Sequence, residues 1–123
     1  MLETDDILAL SHEITNAGHW YVRLSDHTVV WSSEVYRIHG IDPEGFMLDV
    51  DSALDFYHPD DRPWVAEALR AGLEHGAPLS FDARLVRPDG TVRWVEVLGR
   101  TKREGPQDPG YLFGIIRDIT DVQ

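Results

Sequence analysis

Two successive segments near the C-terminal end of the chain carry apolar side chains on both faces. The segment 92–100 alternates between two largely apolar faces, and the segment 111–119 is apolar at most positions. A strand with one solvated face alternates apolar and polar residues, whereas strands buried on both faces are nearly continuous in apolar residues. The chain must therefore cover both faces of a sheet, in whole or in part, with helices or with a second copy of itself.

Three further segments show the alternation of strands, at 19–24, 28–31 and 79–86. The polar link at 25–27 is short enough to close a hairpin between the first two. The third is followed by the turn Pro88-Asp89-Gly90, in which glycine supplies a positive φ. The sequence thus predicts five strands, two of them before residue 32 and three after residue 78.

The intervening stretch predicts two short helices. Ser32 or Ser33 caps the first, which ends at Gly40, and Asp51 or Ser52 starts the second. Helices this short are marginal alone, so they must be held against the sheet.

A longer helix is predicted over 61–74. Asp60 or Asp61 would cap its free amides, Pro63 is tolerated in its first turn, and Gly76 ends it.

An amphipathic helix is predicted before the first strand, at residues 1–17. Its apolar residues follow spacings of three, four and three: Ile7, Leu10, Ile14 and Ala17. Such a stripe must lie on the domain or on a second copy.

The order of these elements, two strands, three helices and three strands, predicts an α+β fold. Helices would pack over one face of a five-stranded antiparallel sheet and leave a small central cavity. We expect a flanking helix at 1–17 and one domain at 18–123.

Composition excludes several classes of function. With 22 acidic and 11 basic side chains the net charge is -11, which repels nucleic acids and anionic membranes. No cysteine is present, so disulfides, thiolate metal sites and cysteine-based photochemistry are excluded. No apolar run reaches the roughly 20 residues that span a bilayer, and we expect a cytoplasmic segment.

The sequence carries no catalytic or metal-binding motif. Neither a GxSxG elbow nor a glycine-rich phosphate loop is present, so we expect no enzyme in this segment. The histidines are dispersed without metal spacing: His12, His19, His27, His39, His58 and His75. Only His75 falls on the longer helix, at its end, which disfavours haem.

Five motifs occur in order. They are Gly18-His19-Trp20, WSSEVYRIHG at 31–40, HPDDR at 58–62, RLVRPDGTVRWVE at 84–96 and GIIRDIT at 114–120. Together they resemble the PAS/PAC family, in the subgroup common in bacterial sensor histidine kinases and cyclic-di-GMP enzymes.

The resemblance implies a sensory domain that dimerises and controls a C-terminal effector. We expect a histidine kinase as this effector, with a cyclic-di-GMP enzyme as the alternative. The chain would then end at the junction to that effector. Two positions depart from the subgroup: Arg23 stands where an acidic residue is usual, and His27 where the hairpin commonly has glycine.

Three sets of candidate residues follow. The residues expected to line the cavity are Trp20, Val22, Tyr36, Phe46, Phe56, Leu69, Leu85 and Val95. The resemblance implies a signal-output junction at Asp118, Ile119 and Thr120. Apolar surface for a dimer or for the flanking helix is expected at Ile7, Leu10, Ile14, Trp94 and Leu98.

Two functional hypotheses remain open at this point. In the first, an unidentified small organic ligand occupies the cavity and shifts the sheet. In the second, side chains fill the cavity and the domain is a ligand-free dimerisation module. No cofactor is expected. A haem- or flavin-binding sensor is a further alternative, in which flavin would bind without forming a photoadduct, because the photoadduct needs a cysteine. His58 either positions the long helix or acts as a pH switch, since an unperturbed histidine has a pKa of about 6.5.

Overall fold

A computed structural model describes residues 17–120 as one sheet with three helices. The strands are β1 (Ala17–Arg23), β2 (Val29–Trp31), β3 (Leu79–Val86), β4 (Val92–Lys102) and β5 (Tyr111–Asp118). The helices are α1 (Ser33–His39), α2 (Val50–Asp55) and α3 (Arg62–His75). The predicted N-terminal helix, with Ile7, Leu10 and Ile14, lies outside the described residues except at Ala17, where the prediction is wrong because Ala17 begins β1 and pairs with Arg117 of β5.

The sheet has the order β2-β1-β5-β4-β3, and all neighbouring strands are antiparallel. Because β2 and β3 are the two edges, the chain between them must cross the sheet, and this crossing carries all three helices over one face. The predicted α+β fold with a five-stranded antiparallel sheet is confirmed.

The central strand β5 is buried on both faces. Leu112 and Ile116 pack toward the helices, while Phe113 and Ile115 point to the opposite face, and all four are at most 3% exposed. The nearly continuous apolar pattern at 111–119 reflects this double burial.

Trp20 pairs with Gly114 of β5, which in turn pairs with Gly99 of β4. A Cβ on Gly99 would lie 2.8 Å from Cη2 and Cζ2 of Trp20, and one on Gly114 would overlap the carbonyl of Leu98. Gly99 therefore lets the indole lie close against the sheet, on the face that carries the helices, while Gly114 lets the backbones of β4 and β5 approach closely.

The short helices begin with different contacts from those predicted. Ser32 is at the N-cap of α1, but its Oγ accepts a hydrogen bond from the His19 backbone N–H, at 2.9 Å, rather than from the helix. The second helix is capped by Asp49, whose carboxylate accepts from the Ser52 N–H at 2.8 Å. The prediction that Asp51 or Ser52 starts this helix is therefore wrong by one or two residues.

Asp61 is at the N-cap of α3, yet its carboxylate makes no capping bond. It is committed instead to Arg84 of β3, with Nη2 to Oδ1 at 2.7 Å and Nε to Oδ2 at 3.0 Å. The backbone carbonyl of His58 accepts from the amides of Asp61 and Arg62 in its place. Side-chain capping by Asp61 was thus a wrong prediction, because the edge strand takes the carboxylate, whereas the stop at Gly76 is confirmed by its φ of 70°.

His27 occupies the left-handed position of the first hairpin, with a φ of 60°. This conformation is readily adopted by glycine and is uncommon for other residues. Arg23 closes the same turn, with its Nη2 2.6 Å from Oδ2 of Asp26. Both departures from the resembled subgroup are therefore accommodated within one hairpin.

Candidate functional site

A cavity of about 80 Å³ lies between the helices and the inner face of the sheet. Its lining comes from all three helices and all five strands, and His39 is the one residue of this lining with an ionisable nitrogen. The lining residues are Trp20, Val22, Val29, Trp31, Val35, His39, Val50, Ala53, Leu54, Tyr57, Val65, Leu69, Leu79, Phe81, Val97 and Ile116.

The structure brings three of the eight expected cavity residues to this lining, namely Trp20, Val22 and Leu69. Leu85 and Val95 lie in the adjoining core, where both are fully buried. These two strand residues face the helices as expected, but they pack away from the open space.

The remaining three lie in an aromatic cluster beside the cavity. Tyr36 packs edge-on against Trp31, with ring centroids 5.2 Å apart, and Phe46 packs against Phe56 at 5.7 Å. Phe56 also contacts the ring of His39 edge-on at 5.1 Å. This cluster supports the wall of the cavity from behind.

Sequence reasoning missed His39, which forms part of that wall. Its Nδ1 lies 2.8 Å from the Val35 carbonyl oxygen, and its ring stacks on Trp31 with centroids 4.2 Å apart. Because a carbonyl oxygen only accepts, Nδ1 carries the proton and Nε2 keeps a lone pair. His39 follows Val35 by four residues, so the two lie on the same face of α1, which is buried. This spacing could have identified His39 as a buried residue from the sequence.

Burial keeps the two titratable groups of the lining neutral. Desolvation lowers the pKa of His39 to about 4, against a smaller opposing effect from the Val35 hydrogen bond. Desolvation also raises the pKa of the Tyr57 hydroxyl above its ordinary value. At neutral pH the lining therefore carries no formal charge.

Trp20 contributes an unpaired donor. Its Nε1–H is buried, and no acceptor in residues 17–120 lies within hydrogen-bonding distance of it. A buried donor left without an acceptor costs about 1–3 kcal/mol, so this group is a local cost of the packing.

The expected output junction forms a compact polar network at the end of β5. Asp118 accepts hydrogen bonds from the Arg93 Nε at 2.7 Å, from the Thr120 Oγ1 at 2.7 Å and from the Thr120 backbone N–H at 3.0 Å. Thr120 Oγ1 accepts from the Trp94 N–H at 2.9 Å, and the Ile119 N–H donates to the Trp94 carbonyl at 2.8 Å. Burial opposes ionisation of Asp118, but these bonds outweigh it and lower its pKa.

Arg87 links this network to α1. Its Nε donates to the carbonyl oxygen of Ile38 at 3.0 Å, and its Nη2 lies 4.0 Å from Oδ2 of Asp118. Because Ile38 directly precedes His39, only Ile38 and Arg87 lie between the cavity wall at His39 and Asp118 at the end of β5.

Trp94 and Leu98, expected on a dimer surface, lie on the outer face of β4 and are half-buried. The guanidinium of Arg84 covers the Trp94 ring at 5.5 Å from its centroid, and Leu98 pairs with Ile115 of β5. These residues form an apolar strip on the face opposite the cavity.

His58 contacts the start of α3. Its Nδ1 accepts from the Asp60 N–H at 3.1 Å, in addition to the two amides that its carbonyl accepts. These contacts are those of a positioning residue.

Across residues 17–120, no helix is long and apolar enough to cross a membrane. Within that same part of the chain, no group of three or more histidines or acidic residues is placed to hold a metal ion.

This fold and cavity define a PAS domain, and the sequence agrees: the profile of the PAS fold family PAS_3 matches residues 28–116. The chain belongs to this family, whose members are sensory modules rather than catalysts. It is similar to a blue-light-activated histidine kinase of Brucella anthropi, with 27% identity over 118 residues. The alignment covers 96% of this chain and 23% of that relative, so the chain spans about a quarter of its length.

Solved structures show the same fold. A sensory box histidine kinase/response regulator from Burkholderia thailandensis is 26% identical, with a TM-score of 0.71 and coverage of 94% of this chain and 86% of that one. The N-terminal domain of a diguanylate cyclase with a PAS/PAC sensor from Marinobacter aquaeolei is 21% identical, with a TM-score of 0.76 and coverage of 86% and 97%. An RNA-binding light-oxygen-voltage receptor is 22% identical, with a TM-score of 0.74, and the match covers 87% of this chain and 30% of that one.

The residues of this cavity do not fit a flavin. A volume of about 80 Å³ is far below the roughly 300–1,000 Å³ of pockets that hold drug-sized ligands. Four aromatic rings, of Trp20, Trp31, Tyr57 and Phe81, occupy the lining. The chain also has no cysteine to form a photoadduct.

Proposed function

We propose that this PAS domain is a cytoplasmic sensory module that binds a small organic ligand in its cavity and regulates an effector joined to its C-terminal end. The names of its relatives favour a histidine kinase as that effector. The observation that carries the proposal is the position of Arg87, between α1 at the cavity wall and Asp118 at the end of β5.

The physical basis is a change in α1. A ligand that packs on His39 or Trp31 alters the position of α1, because both residues adjoin its C-terminal turn. Arg87 holds that turn through the Ile38 carbonyl and also faces Asp118. A ligand with different affinity for two positions of α1 shifts the populations of two states of the junction.

A fragment screen tests both parts of this proposal. Single-ring compounds are screened for an increase in melting temperature, since a ligand of the native state raises stability. For compounds that bind, we expect the amide NMR signals of Ile119 and Thr120 to move. In the R87M variant we expect the same compounds to bind but the junction signals to stay in place.

The matched control is R103M, which removes an exposed arginine from the loop between β4 and β5. This variant should keep the junction response. A screen without any stabilising compound would argue against ligand binding, and an unchanged junction response in R87M would contradict the route through Arg87.

Dimerisation is a second candidate function, favoured by the apolar strip at Trp94 and Leu98. Sedimentation of the chain at increasing concentration should reveal a dimer that L98D weakens. The control is M47D, because Met47 is an exposed apolar residue between α1 and α2, away from this strip. A monomer at all concentrations, or a dimer that L98D leaves unchanged, would exclude this surface.

A further inference from the structure

The outer face of the sheet, which is the face away from the cavity, has a buried apolar centre. Phe113 is 1% exposed and Ile115 is 0% exposed, and both point to this face. On the sheet, Ile115 is flanked by His19 of β1 and Leu98 of β4. The three helices of residues 17–120 lie on the other face, and a sheet face without a second layer stays partly open to water. We therefore expect a further layer over this face.

One end of the outer face is basic. Arg23 of β1 and Lys102 of β4 both lie directly opposite Tyr111 of β5, so their side chains share this face. Arg100 precedes Lys102 by two residues and therefore points the same way. Arg23 also pairs with Asp26 of the hairpin at 2.6 Å. In a chain with a net charge of -11, three cations at one end of a sheet form a distinct positive patch.

The segment that precedes β1 has the complementary character. Residues 1–16 contain no lysine or arginine, and their acidic residues are Glu3, Asp5, Asp6 and Glu13. The sequence predicts a helix here, with Ile7, Leu10 and Ile14 on one side. At about 100° per residue, Glu3 falls on this apolar side, one turn before Ile7, whereas Asp5 falls on the opposite side. The apolar side of the segment thus begins with a carboxylate.

The lengths of the segment and of the sheet agree. The segment joins β1 at Ala17, at the end of the strand opposite Arg23. A helix over residues 3–16 would be about 21 Å long, and β1, with 7 residues, spans about 20 Å. A helix that runs back along β1 from Ala17 therefore brings Glu3 to the basic end.

We propose that residues 3–16 form an amphipathic helix that docks on the outer face of its own sheet, antiparallel to β1, with Glu3 over the basic end. The apolar side of the helix then covers Phe113 and Ile115. Covalent attachment raises the effective concentration of the segment at this face above that of a second copy.

This inference is independent of the ligand and the effector of the proposed function. It does bear on dimerisation, because the docked segment and a second copy of the chain would compete for Leu98.

A spin label tests the position and direction of the segment. The chain has no cysteine, so a nitroxide can be attached to one introduced cysteine. In D5C the label lies on the solvent side, near the N-terminal end of the segment. We expect it to broaden the amide NMR signals of Tyr111 and Lys102 more strongly than those of Glu96 and Arg117, which pair at the other end of the outer face.

A mixed sample distinguishes the two possible occupants. It contains isotope-labelled chain without a nitroxide and unlabelled D5C chain with one. Broadening of the outer face in this mixture would place the segment on a second copy and overturn docking within the chain. In the single-chain sample, no selective broadening, or stronger broadening at Glu96 and Arg117, would overturn the proposed position.

Two charge reversals test the pairing of Glu3 with the basic end. Hydrogen exchange of the Glu13 amide reports how often the segment opens. E3K should speed this exchange about two- to fivefold, the range for an exposed ion pair. D5K makes the same change of charge on the opposite side and should leave the rate unchanged. Equal rates in the two variants would overturn the placement of Glu3.

Two further variants test docking through the apolar side. L10D should speed exchange of the Glu13 amide at least about tenfold, because it removes a buried leucine from the contact. Ala9 falls on the opposite side of the predicted helix, so A9D should have a much smaller effect. Equal rates in L10D and A9D would show that the apolar side is not packed and would overturn the proposal.

Discussion

The close approach of Gly99 to Trp20 makes a single methyl group a sharp test of the packing. In G99A the new Cβ would lie 2.8 Å from Cη2 and Cζ2 of Trp20 and 3.2 Å from the carbonyl oxygen of Phe113. Real Cβ atoms essentially never approach other heavy atoms within 3.0 Å. The indole must move away from β4, and it is a rigid ring confined between the sheet and the helices.

Forcing extra volume into a well-packed core costs about 1–3 kcal/mol. In a domain of this size, each kcal/mol lowers the melting temperature by roughly 4 °C or more. We therefore expect G99A to melt about 5–15 °C below the wild type in thermal unfolding followed by circular dichroism. We also expect the Trp20 indole NMR signal to move, because the ring itself is displaced.

G105A is the matched control. No heavy atom lies within 4 Å of a Cβ built on Gly105, and its φ is not in the left-handed region. Alanine there should leave the melting temperature unchanged or raise it slightly, since it restricts the unfolded chain. If G99A had the same melting temperature as G105A and kept the Trp20 signal in place, the reasoning about the packing of Trp20 against Gly99 would be wrong.

Three further predictions concern charged and titratable groups. The unfolding free energy should fall by about 3 kcal/mol as pH decreases from 6.5 to about 4. The reason is that His39 takes up a proton at higher pH in the unfolded chain than in the folded one. Urea titrations of H39N should show a smaller pH dependence over this window. D61N should lower the melting temperature because it removes the charge of a carboxylate that accepts three hydrogen bonds from Arg84. D82N, at an exposed position of β3, should not lower it, and equal melting temperatures would argue against a stabilising pair. D118A should speed hydrogen exchange of the Thr120 amide, which donates to the Asp118 carboxylate, and exchange at the wild-type rate would show that this bond does not hold the junction.

The strand pattern was readable from local sequence because it follows from the environment of each face. The alternation in β3 and the nearly continuous apolar run of β5 predicted one-sided and two-sided burial. Glycine stops were equally readable: Gly40 and Gly76 both adopt the left-handed conformation that ends a helix. These features depend on residues close together in sequence, and the order of elements then restricts the topology.

Side-chain partners between distant segments were decided by the tertiary structure. Ser32 and Asp61 both stand at helix N-caps, as local rules predict, but their oxygens bond β1 and β3 instead. The oxygen of an N-cap side chain can accept from a helix amide or from any other donor that packs against it. Donors 13 or 23 residues away, as here, cannot be identified from the local sequence. The Asp49 cap of α2 lay only two residues outside the prediction and shows the ordinary uncertainty of helix ends.

By itself, then, the sequence determined a PAS-type α+β sheet covered by helices, with a carboxylate and a hydroxyl, Asp118 and Thr120, at the end of its last strand. Only the tertiary structure decided which aromatic residues enclose space and which fill it. Trp31 and His39 reach the cavity because α1 packs over β1 and β2, while Phe56 packs against both rings and Phe46 packs against Phe56. The physical reason is that an apolar residue has the same sequence pattern whether it lines a cavity or fills the core. Whether a gap remains beside it depends on how distant elements pack together.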